Sequence, residues 1–131
     1  MIDELQKIVL NCLNNQTSDN FKQLSGIFNY IDKNQKFPYI FYFINNIEDL
    51  STYSKKIYSC DISINIYSKN QSSIYIVKML EEIKNIFVNI NNFSSDKISI
   101  IDILINKSDI ILEENNSIWR GEITSKIIFS Y

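Results

Sequence analysis

A chain of 131 residues, 45% of them hydrophobic, with 13 basic and 15 acidic side chains and a net charge of −2, can bury one core without disulfide or metal staples. It is too short for two domains. The complete absence of histidine excludes a Ser-His-Asp triad, a Cys-His dyad and His-ligated zinc, and the even charge balance argues against a nucleic-acid groove and against a solvating acidic tail.

Residues 2 to 14 read as a helix: Ile2, Leu5, Ile8, Val9, Cys12 and Leu13 recur at helical spacing, with Asp3 and Glu4 in the first turn, where the helix dipole favours acids. A short helix is expected from about Asp19 to Ser25, capped by Thr17 or Ser18 and stopped by Gly26 in a left-handed conformation. Ile27 to Ile31 read as a short strand. After a polar loop, Phe37-Pro38-Tyr39-Ile40 opens a strand to about Ile47, the proline suiting a strand's first residues. Both faces of this strand are apolar: Tyr39, Phe41 and Phe43 on one, Ile40, Tyr42 and Ile44 on the other. A half-solvated antiparallel strand would alternate, so this one is expected to be covered twice, by helices on one side and by another subunit on the other.

Residues 45 to 56 form a polar excursion. The next strand alternates cleanly, with Tyr58, Cys60, Ile62, Ile64 and Ile66 on one face and Ser59, Asp61, Ser63 and Asn65 on the other. A helix follows over about Ser73 to Ile90, its stripe made by Ile76, Met79, Leu80, Ile83, Ile86, Phe87 and Ile90. A very apolar strand covers 98 to 106, and 110 to 112 either continue it after a kink or begin another. The last strand, 118 to 130, turns Trp119, Ile123, Ile127 and Phe129 inward and Arg120, Glu122, Thr124, Lys126 and Ser130 outward. Strands joined by short loops pair antiparallel, and a helix between two of them implies a crossover. The expected fold is α+β, a single domain over 1–131: a mostly antiparallel sheet of four to five strands with two to three helices packed on one face.

Little in the chain suggests chemistry. Asp61, Asp102, Asp109 and Glu122 lie in or near strands and invite comparison with a metal cluster. Glu82-Ile83-Lys84 has a spacing used by some metal-dependent nucleases but sits mid-helix, where solvated charge explains it. Asp102, set among isoleucines, is expected to face solvent, a turn, a backbone donor or a subunit contact. Two glycines cannot build a phosphate loop or a nucleophile elbow. Cys12 and Cys60 show no CxxC spacing and read as buried, reduced thiols. Alanine is absent, Arg120 is the only arginine, and Ile plus Asn make up about a third of the chain; this is the mark of AT-rich codons, so the asparagines carry little weight. Met1-Ile2-Asp3-Glu4 lacks the features of a signal peptide, and no run is long enough for a membrane span. A cytoplasmic protein without cofactor or metal, and without a catalytic role, is expected. The aromatics are more telling: Tyr30, Phe37, Tyr39, Phe41, Tyr42 and Phe43 crowd into one short stretch, and such residues concentrate at the centres of protein interfaces. Tyr39, Phe41, Tyr42 and Phe43 are therefore candidate interface residues.

Three stretches and their order resemble the tail-completion (tail-terminator) proteins of tailed phages, prophages and gene transfer agents. The first is Ile27-Phe28-Asn29-Tyr30-Ile31, a polar spacer, then Phe37-Pro38-Tyr39-Ile40. The second is Ile62 to Lys69, an alternating strand ending in aromatic-Ser-basic and followed by an amphipathic helix. The third is Trp119-Arg120-Gly121-Glu122 at the start of the last strand. The resemblance runs from about residue 2 to 131; the 45 to 56 and 106 to 118 excursions do not align, and the loops are poorer in glycine than in many members. It implies a structural protein that forms a ring, commonly a hexamer, at the head-proximal end of a tail tube, ends tube polymerisation and joins the tail to a neck or head-completion protein. Assembly in a bacterial cytoplasm and residence in a virion or phage-like tail follow, with DNA only as passing cargo, since few cations give little grip on it. Glu48, Asp49, Glu113 and Glu114, on the two excursions, are expected to meet neighbours or the lumen. A neck or head-tail adaptor protein of the same particle and a small intracellular ligand-binding domain remain alternatives.

Overall fold

The computed structural model describes residues 1–30, 34–69, 72–89, 93, 95–113 and 118–131. Three helices and five strands follow in the order α1 (Ile2–Asn14), α2 (Asp19–Lys22), β1 (Ile27–Phe28), β2 (Tyr39–Asp49), β3 (Ile57–Ser68), α3 (Ile74–Val88), β4 (Ser99–Leu112) and β5 (Trp119–Ser130). The strands form one sheet in the order β1-β2-β3-β5-β4. Every pair is antiparallel except β1 with β2. The α+β fold is thus a mostly antiparallel sheet with three helices.

The core lies between the helices and one face of the sheet. α1 buries Leu5, Ile8, Val9, Cys12 and Leu13, the inward positions of its stripe. α3 buries Tyr75, Ile76, Met79, Leu80, Ile83, Ile86 and Phe87. The Tyr75 hydroxyl donates to the Asn20 carbonyl at 2.8 Å, tying α3 to α2. Opposite them stand Ile40 and Tyr42 of β2, Cys60, Ile62, Ile64 and Ile66 of β3, and Ile123, Ile127 and Phe129 of β5. Burying one such aliphatic or aromatic side chain stabilises by about 1.5–3 kcal/mol, so this single layer carries the fold. Gly121 of β5 lies directly under α3: a Cβ there would stand 2.7 Å from Ile76 Cγ2 and 3.1 Å from Leu80 Cδ2. The helix can approach only because that side chain is missing.

The structure corrects three details and decides a fourth between the two expected alternatives. The short helix ends at Lys22, with Ser18 as its cap, the Phe21 N–H donating to Ser18 Oγ at 3.3 Å. Gly26 is not left-handed; it leaves room for the Phe28 ring, which a Cβ would strike. β1 keeps only Ile27 and Phe28, and it runs parallel to β2 despite the short connection. The Ser25 N–H donates to Pro38 O at 2.8 Å and the Ile40 N–H to Gly26 O at 3.1 Å, so the chain is brought back alongside itself. The apolar run 98 to 106 and the segment 110 to 112 form one strand, interrupted by bulges at Ile101 and Asn106. Ile31 and Ile90, the expected ends of the first strand and the long helix, lie outside the described residues.

β3 and β4 are linked through α3 yet are not neighbours; β5 lies between them. The crossover therefore skips one position, and the last strand fills it. Among the described residues β4 is left as a free edge. On the far side β1 shields only the Ile40–Phe41 end of β2.

Candidate assembly surface

The face of the sheet turned away from the helices is covered by no other element among the described residues. Strand register arranges its side chains in rows from β2 through β3 and β5 to β4: Tyr39, Tyr67, Arg120 and Ile111; then Phe41, Asn65, Glu122 and Asp109; then Phe43, Ser63, Thr124 and Lys107; then Asn45, Asp61, Lys126 and Leu104. One margin is therefore an aromatic column and the other carries charges and aliphatic groups.

The aromatic column is ordered by ring contacts. Tyr39 stacks on Tyr67 with centroids 5.0 Å apart and planes 17° apart. Phe37 meets Tyr39 at 5.3 Å, Phe41 meets Phe43 at 5.7 Å, and Lys69 Nζ lies 4.7 Å from the Phe37 centroid. Such pairs add about 0.5–1.5 kcal/mol each beyond burial. Burial pushes the Tyr39 and Tyr67 phenols up. Phe43 remains exposed and Tyr39 and Phe41 half-buried, so the column is an unfinished apolar surface.

Beside it sits a polar network built on the only arginine. Arg120 Nε donates to Glu113 Oε1 at 2.7 Å, and Nη1 donates to Glu122 Oε2 at 2.7 Å and to Asn65 Oδ1 at 3.2 Å. Burial opposes the guanidinium charge, but the bonds to Glu113 and Glu122 outweigh it and hold its pKa above the ordinary value. Asn65 is buried although it faces outward, roofed by these neighbours, and its Nδ2 donates to Ser63 Oγ at 3.3 Å. Lys107 pairs with Asp109 at 3.1 Å, an interaction that raises the Lys107 pKa. Further along, a bulge in β2 puts Asn46 at φ 52°, from where its Nδ2 donates to Asp61 Oδ2 at 2.9 Å. Among the described residues Oδ1 of Asp61 is shielded and has no hydrogen-bond partner.

The expected interface residues separate. Tyr39, Phe41 and Phe43 lie on the open face. Tyr42 is a correction: it points to the helices and is 2% exposed, because the inner parity of β2 pairs with Ile64 in the core, so it offers nothing to a neighbour. Glu48 and Asp49 stand on the β2–β3 arm, with Asp49 Oδ1 accepting from the Ser51 N–H at 2.8 Å. Hydrogen bonds from Ser51 hold the Asp49 carboxyl below its usual range. Glu113 directly follows β4 and is bound to Arg120; Glu114 lies outside the described residues. Of the four strand acids, Asp109 and Glu122 are cross-strand neighbours, each paired with a cation, whereas Asp61 and Asp102 lie elsewhere. No group of three potential metal ligands occurs among the described residues. Glu82 and Lys84 lie mid-helix as expected. Two clefts of about 320 and 300 Å³ flank α1 and share Lys7. Cys12 and Cys60 are free and buried. No helix among the described residues is long and apolar enough to cross a membrane. Sequence reasoning missed Tyr67, Asn65 and Arg120 as parts of this surface; a lone arginine at an outward strand position was the available signal.

No protein-family model matches the chain, and no curated protein does. Solved structures do match its fold. One is a chain of the "Virion of native gene transfer agent (GTA) particle", with a TM-score of 0.81 over 97% of this chain and 95% of that one at 8% identity. At that identity the likeness establishes the fold, which the two chains share from end to end.

Proposed function

We propose that this chain is a structural protein of a phage-like particle and, within it, a tail terminator: a ring, six-membered by the family's habit, that stops tail-tube growth and joins the tube to the neck. The observation that carries the reading is the end-to-end fold likeness to a chain of a gene transfer agent virion, which agrees with the resemblance of the three motif stretches. The open face supports it physically. A ring needs two different patches that fit each other, because its contacts are heterologous. The aromatic margin on β2 and the charged, aliphatic margin on β4 are two such patches at opposite sides of one sheet. The chain acts by binding and needs no catalytic group or cofactor. Its partners are its own copies, the tube protein and a neck or head-completion protein, and DNA passes without being gripped.

The test is to mix the purified protein with tubes of its own particle and image them. Rings at one end of each tube, with tube growth halted, are the expected outcome. Binding to head or neck proteins with no effect on tube growth identifies an adaptor and refutes the terminator reading.

A further inference from the structure

The twelve residues 45 to 56 are all exposed. They are not shapeless. The Leu50 N–H donates to Ile57 O at 2.8 Å, the Thr52 N–H to Lys55 O at 2.8 Å, and Ser51 is held by Asp49 and by the Ile57 backbone. The result is an arm at one end of the sheet: Asn45, Glu48 and Asp49 still pair with β3, and residues 50 to 56 project beyond the last of those pairs. An arm with no core of its own is ordinarily polar, yet this one displays Ile47 and Leu50, each nearly half exposed, and Tyr53 fully exposed at the tip.

A second apolar patch lies on the opposite edge at the same end of the sheet. Asp49, Tyr58, Phe129 and Ile100 form one row across the strands, so the root of the arm is level with the start of β4. There the bulge between Ile100 and Asp102 turns Ile101 outward, and Leu104 follows; both are nearly half exposed. Within one chain three strand spacings, about 14 Å, separate the two edges. We infer that Ile47, Leu50 and Tyr53 of the arm dock against Ile101 and Leu104 at the β4 edge of a second copy. Our reason for naming a second copy as the partner rests on the ring reading above.

Three observations select that occupant. The chain carries both halves of the contact on opposite edges, as a heterologous interface requires. The charges fit: Lys55 and Lys56, the only basic doublet, flank the arm's apolar residues, and exposed Asp102 sits between Ile101 and Leu104, its Oδ1 accepting only a local bond from the Ile103 N–H at 2.9 Å. The size fits one part of a ring contact: residues 50 to 56 reach about 10 Å past the last strand pair, and together with Ile47 they supply a portion of one partner's share of a standard interface, about 800 Å². The β4 bulges interrupt the edge ladder, which discourages strand-to-strand zipping, so side chains make the contact.

The experiment is native mass spectrometry of the full chain over a concentration series, alone and on tubes, with melting temperature as a folding control. Leu50→Asp with Tyr53→Asp, on the arm, and Ile101→Asp with Leu104→Asp, on the edge, should each keep the fold and weaken self-association about tenfold or more. Mixing the two variants should give a 1:1 dimer and nothing larger, because one intact arm then meets one intact edge. Lys55→Glu with Lys56→Glu should weaken assembly, and adding Asp102→Lys in the same chain should restore it. Variants that fold and assemble like the wild type, or a mixture that stays monomeric, overturn the inference. If wild type and variants cap tubes equally well, the arm contact fails and the terminator reading stands. If copies associate through the arm yet never cap tubes, the terminator reading fails and the arm contact stands.

Discussion

Replacing Arg120 with methionine keeps most of the side chain's stem and removes its charge. Two carboxylates at 2.7 Å lose their cation, and Asn65, 4% exposed, loses the donor to its Oδ1. The Arg120 side chain is 23% exposed and its partners 39% and 21%, so each ion pair is discounted for solvent to about 0.5 kcal/mol. The orphaned buried amide adds about 1 kcal/mol, for a total near 2 kcal/mol. Unfolding entropy of about 2.1 cal/mol/K per residue makes this a fall in melting temperature of about 7 °C, read by calorimetry or circular dichroism. Asn65→Ala added to Arg120→Met should cost little more, since the two act through one network. A melting temperature within about 2 °C of the wild type refutes the reasoning, because Arg120 would then be one more surface charge.

Gly121→Ala drives a methyl into α3; overpacking costs about 1–3 kcal/mol, partly offset by the stiffer unfolded chain, so the variant should melt about 3–7 °C lower, and unchanged melting would show that α3 yields freely. Tyr42→Glu places a carboxylate in the core and should leave the chain unfolded by circular dichroism, whereas Phe43→Glu on the open face should fold normally and fail to assemble by native mass spectrometry. Burial pushes the Cys12 thiol up to about 11 and the Cys60 thiol up to about 12. Both should resist alkylation at pH 8 until the chain unfolds. Because these pKa values are raised above the unfolded value of 9.0, the folded state favours the protonated thiols; stability should fall as pH rises from about 9 through about 12, and urea melts across that window check the sign.

Elements with one dominant period were legible in the sequence. The first helix, 2 to 14, carries a six-member apolar stripe, and its bounds coincide with those observed. The alternation of Tyr58 to Ile66 gave the phase of β3 correctly. Where the period was ambiguous, legibility failed. Ile100, Ile101, Ile103, Leu104 and Ile105 occupy both parities, so no pattern could place two bulges within β4. Both faces of β2 are apolar, so the split between Tyr39, Phe41 and Phe43 and their alternates was visible but not which set met the helices; Tyr42 was misassigned for that reason. The parallel pairing of β1 depends on hydrogen bonds between Ser25 and Pro38 and between Ile40 and Gly26, which leave no local trace. The Arg120 network is equally hidden, since Asn65 lies 55 positions away and meets it only through the register of β3 and β5.

The placement of β5 between β3 and β4 has a consequence for synthesis. The most thoroughly paired strand of the sheet, bonded along its whole length on both sides, is the last of the strands to leave the ribosome. Until residues 119 to 130 emerge, β3 has one unsatisfied edge, β4 has no partner at all, and α3 faces a gap where Ile123, Ile127 and Phe129 belong. A nascent chain therefore cannot close its core early, and the β3–β5 pairing that completes it joins residues more than 50 positions apart, which favours slow folding. An interrupted chain exposes one bare edge of β3 and a wholly unpaired β4 rather than a smaller version of the fold. Such a fragment is a substrate for chaperones or proteases, and it presents no finished sheet surface with which to enter an assembly.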